Sequence, residues 1–186
     1  MPVYLALGKI PDMEIVKAPD ARLRVKTKQV KKITPELLKT IKEMVLLTKS
    51  FADPEGVGLA ATQIGNGGQY FVSKTKSGSF RSVINPAILN FSKKTKVFFE
   101  GCLSIPDYYG EVKRPIGVTV LYLDEKGQKI KKKLTGLEAW IFQHEYDHLQ
   151  GKLFVDYVLA QKSRLYKVVG KDKTGAEVFE EVSLEI

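Results

Sequence analysis

Three scarce residue types constrain the protein before any motif is read: one cysteine, two histidines and one tryptophan among 186 residues. A single thiol forms no intramolecular disulfide, which removes the usual stabiliser of small secreted domains and points to a reducing compartment. The cytoplasm is the expected location, and an organelle reached through a cleaved targeting peptide is the alternative. Long apolar runs are also missing. The start at residues 1–6 is apolar, but Lys9, Asp12 and Glu14 interrupt it before a secretory core forms. No later stretch approaches the roughly 20 apolar residues of a bilayer crossing, so no membrane association is expected. Acidic residues fall short of basic ones, 21 against 30, which leaves a formal charge of +9 with basic runs at 26–32, 93–96 and 129–133. These runs lack the aromatic interleaving and zinc-finger spacing of a sequence-specific nucleic-acid reader. Solvated lysines that maintain solubility are the plain reading, and proximity to an RNA-rich machine is the other.

What is present describes an ordinary folded chain. With 44% hydrophobic and 27% charged residues, the sequence can bury one substantial core, so one domain is expected over residues 1–186, with 158–186 as a C-terminal extension of uncertain structure. Residues 16–30 read as an extended or irregular lead-in. Thr34 is an N-cap residue followed by Pro35 at the first helical position, and Leu37, Leu38, Ile41, Met44 and Val45 recur at helical spacing up to about Ser50. A glycine-rich segment at 56–68 precedes short apolar runs at 69–73, 82–84, 87–91 and 97–99, which read as strands. Residues 118–123 and 128–134 flank a turn at 124–127 and form a hairpin. Leu137, Trp140, Ile141, His144 and His148 mark a second helix that Gly151 stops. Beyond it, 171–175 reads as a turn and 178–186 as a terminal strand or loose tail. The fold class is therefore α+β: short mixed or antiparallel strands packed around a central metal-binding helix, with an N-terminal helix.

The chemistry is concentrated in His144-Glu145-Tyr146-Asp147-His148. Two imidazoles four residues apart lie one turn apart on a helix and face one point in space, which is the geometry of a metal site. Glu145 lies about 100 degrees round the helix from His144, close enough to reach a metal-activated water without filling a ligand position. A carboxylate there takes the water proton and passes it to a leaving amine. The alternative is two core histidines, but both histidines of the chain fall in this one motif.

Two imidazoles need at least one more ligand to make a catalytic site with an open position. Cys102 or a carboxylate could supply it. A lone cysteine is often core filler; here Gly101 beside it marks a place where a strand bends or another group comes close. Gly56 to Gln63 adds small residues that let backbone approach a ligand, together with an amide able to donate. It lacks the lysine and the glycine spacing of a phosphate loop.

These three segments, Gly56-Val57-Gly58-Leu59-Ala60-Ala61-Thr62-Gln63, Glu100-Gly101-Cys102-Leu103-Ser104 and residues 143–151, resemble the three signature motifs of peptide deformylases in the family's order. The resemblance covers most of the chain from about residue 10 to residue 157. It implies that Cys102, His144 and His148 bind one divalent metal, with Fe(II) the expected native ion and Zn or Ni also suited to these ligands. It implies that Glu145 is the general acid and base, and that the Gln63 amide and the Leu103 backbone N–H hold the formyl oxygen as charge develops. Val57, Gly58, Gly101, Trp140 and Ile141 are the implied substrate-binding residues, with Gly58 pairing to an extended formyl-methionyl peptide. The ribosome surface is the implied neighbour. Arg114 and Asp147 are expected to support the metal helix, a surface ion pair being the alternative. The sequence departs from the common family pattern at Trp140, where a smaller side chain is expected and core packing is the bland explanation, and at Tyr108-Tyr109, where polar or basic residues are usual.

Two other classes fit parts of this pattern. A zincin-type peptidase shares the helix motif but usually takes its third ligand from a histidine or carboxylate, and no third histidine exists. A structural zinc module normally closes its site with four protein ligands, and three stand out here.

Overall fold

Thr34 and Pro35 open the first helix as their chemistry dictates. In α1 (Pro35–Ser50) the Thr34 hydroxyl accepts the Leu37 N–H at 3.3 Å, and proline occupies the first turn, where its missing N–H leaves no helical bond unmade. The computed structural model describes residues 12–52 and 54–183; the apolar start at 1–6 and the last residues of the expected tail, 184–186, lie outside them. After α1 come β1 (Gly58–Ala60), β2 (Tyr70–Lys74), β3 (Phe80–Phe91), β4 (Thr95–Cys102), β5 (Ile105–Pro115), β6 (Gly117–Leu123) and β7 (Lys129–Thr135). Then follow α2 (Leu137–Leu149), α3 (Phe154–Gln161), β8 (Leu165–Lys171) and β9 (Glu177–Val182). One sheet has the order β1-β2-β3-β6-β7 and the other β4-β5-β8-β9, with antiparallel pairing throughout both. The α+β expectation holds, and no described helix is long and apolar enough to cross a membrane.

Strand alternation sorts the core into two faces. On β2, Phe71 turns toward Phe142, Ala139 and Leu149 of α2, whereas Tyr70 and Val72 turn toward Ile41, Met44 and Leu47 of α1. The first sheet is thus covered by α2 on one side and α1 on the other. Helix α2 also touches β5 of the second sheet, so it is buried on most sides. Its polar residues are therefore held in a protein interior. A third cluster, Phe154 and Val158 of α3 with Val112 and Leu165, closes the second sheet.

Several elements differ from expectation in instructive ways. The lead-in at 16–30 contains a short 3-10 turn, Ala21–Arg24, capped by Asp20. Residues 82–84 and 87–91 belong to one strand, β3, where a break at Asn85-Pro86 was expected. Asn85 takes φ 51, its side chain exchanges two 2.8 Å hydrogen bonds with the Val30 backbone, and the register to β6 shifts across Asn85-Pro86 and again between Ile88 and Asn90. A bulge absorbs the proline without ending the strand. Strand β5 has no counterpart in the sequence reading, because its buried alternation is Gly110, Val112 and Arg114, and only one of these is a large apolar residue. The region beyond 158 contains the end of α3 and the β8–β9 hairpin. Its turn falls at the expected 171–175, where Asp172 accepts backbone N–H bonds from Thr174 and Ala176.

Gly151 ends the α2 segment at φ 72, and a Cβ there would lie 2.3 Å from the Arg24 carbonyl oxygen. Both the backbone angle and the contact demand glycine. Gly151→Ala is expected to lower unfolding stability by about 2 kcal/mol or more, and Gly170→Ala, with open space around it, to stay within about 0.5 kcal/mol. Equilibrium urea unfolding of the two variants measures this; equal midpoints would show that the contact at Gly151 relaxes freely.

Candidate active site

The His144 and His148 rings stand on one side of α2 with centroids 5.0 Å apart. Cys102 closes β4 opposite them, and its Sγ lies 3.2 Å from His148 Nε2. One ligand atom from each of the three residues can be chosen so that all lie within 4.8 Å of one another. Glu100, two residues before the thiol and on the same face of β4, meets His144 Nδ1 at 2.9 Å, which leaves Nε2 of that ring for other work. Glu100 is in turn gripped by Arg114 from β5, whose Nη2 is 3.0 Å from Oε2 and whose Nε donates to Oε1. The remaining arm of Arg114 donates from Nη1 to Asp147 Oδ2 at 2.7 Å, and Tyr157 donates to the other Asp147 oxygen at 3.0 Å. Arg114 is only 3% exposed, so the expected Arg114–Asp147 pair is an interior network and the surface ion pair is ruled out.

These contacts and burial shift Glu100, Cys102, His144 and Glu145 from their usual ranges. Burial alone would raise Glu100, but hydrogen bonds and charge from His144 and Arg114 override it and bring its pKa down to about 2. Burial would likewise raise the Cys102 thiol, yet the charge of His148 and bonds from both imidazoles carry it well below its usual value. Burial opposes protonation of His144, and the Cys102 and Glu100 partners raise it well above the usual histidine range. Glu145 behaves differently, with burial pushing it up to about 7. A thiolate facing two imidazoles, backed by one more buried carboxylate than cation, is a donor set that one divalent cation fits.

These residues form the floor of a cleft of about 400 Å³. Cys102, His144 and Glu145 line it, whereas His148 sits behind them, 1% exposed. Val57, Gly58, Gln63, Gly101, Leu103, Trp140 and Ile141 line it as well. Gly58, on the edge strand β1, is where the cleft wall touches Glu145: a Cβ there would stand 2.3 Å from the carboxylate. Glu145 Oε2 is buried without a hydrogen-bond partner among the described residues. Gln63, in the 3-10 turn Ala61–Ile64, accepts the Ala60 N–H on Oε1 at 2.8 Å, which fixes its amide so that Nε2 points to Ser104 Oγ and toward Cys102 Sγ, 3.5 Å away. Leu103 lies in the turn between β4 and β5. Trp140 lines the cleft and also stacks on Phe98, centroids 5.1 Å apart and 9° from parallel, so packing and lining coexist. Tyr108 and Tyr109 line it too. Sequence reading missed Glu100 as the partner of His144, although its i−2 spacing from Cys102 on one strand face was a usable signal. It also missed Phe99 and Glu177 in the lining, for which no local signal exists.

Fold and site together define a metal-dependent hydrolase. The sequence model of the polypeptide deformylase family matches residues 12–164, and the chain belongs to that family, hydrolases that remove the N-formyl group from nascent peptides. A peptide deformylase of Rhodopseudomonas palustris (strain BisA53) is 40% identical over 158 residues, covering 82% of this chain and 86% of the relative. The crystal structure of the Thermotoga maritima peptide deformylase aligns with a TM-score of 0.73 at 37% identity, over 78% of this chain and 96% of that one. The Synechococcus elongatus peptide deformylase in complex with actinonin aligns with a TM-score of 0.75 at 38% identity, over 84% and 85%.

Removing Arg114 strands two buried carboxylates. Arg114→Ala is expected to destabilise the fold by about 3–5 kcal/mol and to weaken metal binding about 10- to 100-fold, because Glu100 then no longer holds His144. Chemical unfolding and metal-competition titration test this; wild-type values in both would mean that the network does not support the site.

Proposed function

We propose that this chain hydrolyses the formyl amide of formyl-methionyl peptides with Cys102, His144 and His148 holding one divalent metal and Glu145 moving the proton. The observation that carries this reading is Glu145 itself: a buried carboxyl that lines the cleft beside the converging donors, with one oxygen left unpaired among the described residues. The metal, when bound, supplies Lewis-acid polarisation and a more acidic water. Glu145 accepts the proton of the attacking water and returns it to the departing amine, so the C–N bond breaks to give formate and a free amino terminus. A carboxyl raised by burial suits both halves of that exchange near neutral pH. The Gln63 Nε2, already oriented by Ala60, and the Leu103 N–H receive the negative charge that develops on the formyl oxygen.

The substrate main chain pairs with the free edge of β1 at Gly58, because β1 is bonded on its other side only to β2. Val57, Gly101, Trp140 and Ile141 then enclose the methionine side chain, with the broad Trp140 ring narrowing that pocket. Fe(II) is the proposed native ion, and Zn and Ni suit the same ligands. The proposed setting is the cytoplasm beside the ribosome, supported by the exposed lysines Lys129, Lys131, Lys132 and Lys133 along the sheet-edge strand β7.

The test is formate release from formyl-Met-Ala-Ser by protein prepared without oxygen and loaded in parallel with Fe, Ni or Zn. Turnover is expected, and Glu145→Gln should lower kcat by about 10²- to 10⁴-fold with the metal retained. Cys102→Ala should lose the metal, read by elemental analysis. Turnover surviving in Glu145→Gln would remove the assigned role, and no formate from folded, metallated protein would remove the activity.

A further inference from the structure

The family match ends at residue 164, one residue before the β8–β9 hairpin begins. That hairpin nevertheless reaches the site: Glu177, the first residue of β9, lines the same cleft as Cys102 and Glu145. It is fastened there by four aromatic rings from four strands. Phe99 of β4 stacks on Tyr109 of β5 at 5.3 Å and 7°. Phe179 of β9 stands edge-on to both rings, at 5.5 Å and 5.3 Å, and Tyr166 of β8 meets Phe99 at 5.5 Å. The backbone ladder Tyr109↔Tyr166 and Gly110↔Leu165 adds main-chain bonds to the same join. A hairpin secured on both its strands is a fixed wall.

The wall carries charge of both signs, with Lys171 opposite Glu177 in the β8–β9 ladder and Glu177 in the cleft lining. Glu55, also in the lining, is bound to Lys74, and the Lys17 ammonium at the cleft is held by the Leu103 carbonyl at 2.7 Å. Apart from Glu145 on the cleft floor, Glu177 and Asp107 are the lining carboxylates that make no ion pair among the described residues. Phe99, in the same lining and against Phe179 two residues after Glu177, is 45% exposed and offers an apolar ledge for the methylene stem of a long cationic side chain. The whole protein, at +9, repels basic peptides at long range, so any preference for them must come from such a local carboxylate.

We propose that the β8–β9 hairpin is a wall of the substrate cleft and that Glu177 selects a basic side chain in the two residues that follow the formyl-methionine. This rests on the deformylase reading above. Glu177 is a specificity-determining residue, acting on binding and not on the bond that breaks. The selection should be modest, because the pair it forms is partly solvated.

The experiment measures kcat and KM of the metal-loaded protein for formyl-Met-Ala-Ser and for variants with Lys or Glu at the second or third position. Wild type should favour Lys over Glu by about 2- to 5-fold, mainly in KM, and the ratio should shrink at high salt. Glu177→Gln should bring the ratio near one, and Glu177→Lys should invert it, an inversion that a merely structural role would not produce. A wild-type ratio of one, or a ratio untouched by Glu177→Lys, overturns the inference while leaving deformylation standing. Absence of formate from every peptide overturns the deformylase reading, and this inference with it.

Discussion

The guanidinium of Arg114 is the constraint on which the rest depends. It is a single buried cation between two buried carboxylates, Glu100 on β4 and Asp147 on α2, with the Tyr157 ring of α3 4.6 Å away. Such a charge is expensive to dehydrate, and a hydrogen bond from each of its three nitrogens offsets that cost. The planar, five-donor fork of arginine meets that demand in a way a lysine would not. The bonds join both strands of the β4–β5 hairpin to the metal helix, so the thiol and the two imidazoles sit on elements tied at one point. The local balance of two carboxylates against one guanidinium leaves negative charge behind His144. That residual charge favours a cation in front of it.

The chemistry was legible in the sequence to a greater extent than the architecture. Two histidines at i and i+4 need only helical geometry to converge, and α2 is present where they placed it. Thr34-Pro35 and the turn at 124–127 are local signals with local causes, so α1 and the β6–β7 hairpin were equally readable. Strand β5 was not, because its inward face carries a glycine and an arginine. Helix α3 was not, because its eight residues span barely two turns. Asn85-Pro86 looked like a strand end because the sequence does not reveal that Asn85 bonds to a backbone more than fifty residues earlier. The aromatic join between Phe99, Tyr109, Tyr166 and Phe179 brings together residues up to eighty positions apart, with no periodicity to announce it.

The layering explains why α2 buries apolar and polar residues on several sides. A helix at a protein surface separates apolar and polar faces, but α2 is enclosed by the first sheet on one side and β5 on the other. Ala139, Phe142 and Leu149 serve the first contact. Asp147, His144 and Glu145 serve the second contact and the cleft floor, so polar residues occupy buried positions because each has chemistry there. Its N-terminal half carries Trp140 and Ile141 into the cleft. One helix therefore contributes the proposed metal ligands His144 and His148, the proposed proton carrier Glu145 and part of the pocket wall, and their spacing is fixed by a single backbone.

Gly58 couples this helix to the substrate-facing edge. Its missing Cβ is the space that the Glu145 carboxylate fills, so β1 and α2 approach more closely than any side chain at position 58 would allow. The same residue presents a free strand edge to the cleft. In the proposed mechanism a peptide paired along that edge lies within reach of the Glu145 carboxyl, and backbone contacts place it there. Reach set by backbone contacts is independent of the peptide's side chains, as required of a site that must accept many sequences beginning with the same residue. The proposed discrimination then falls to the walls beyond β1, where the aromatic join and the carboxylates Asp107 and Glu177 belong to this chain's own second sheet.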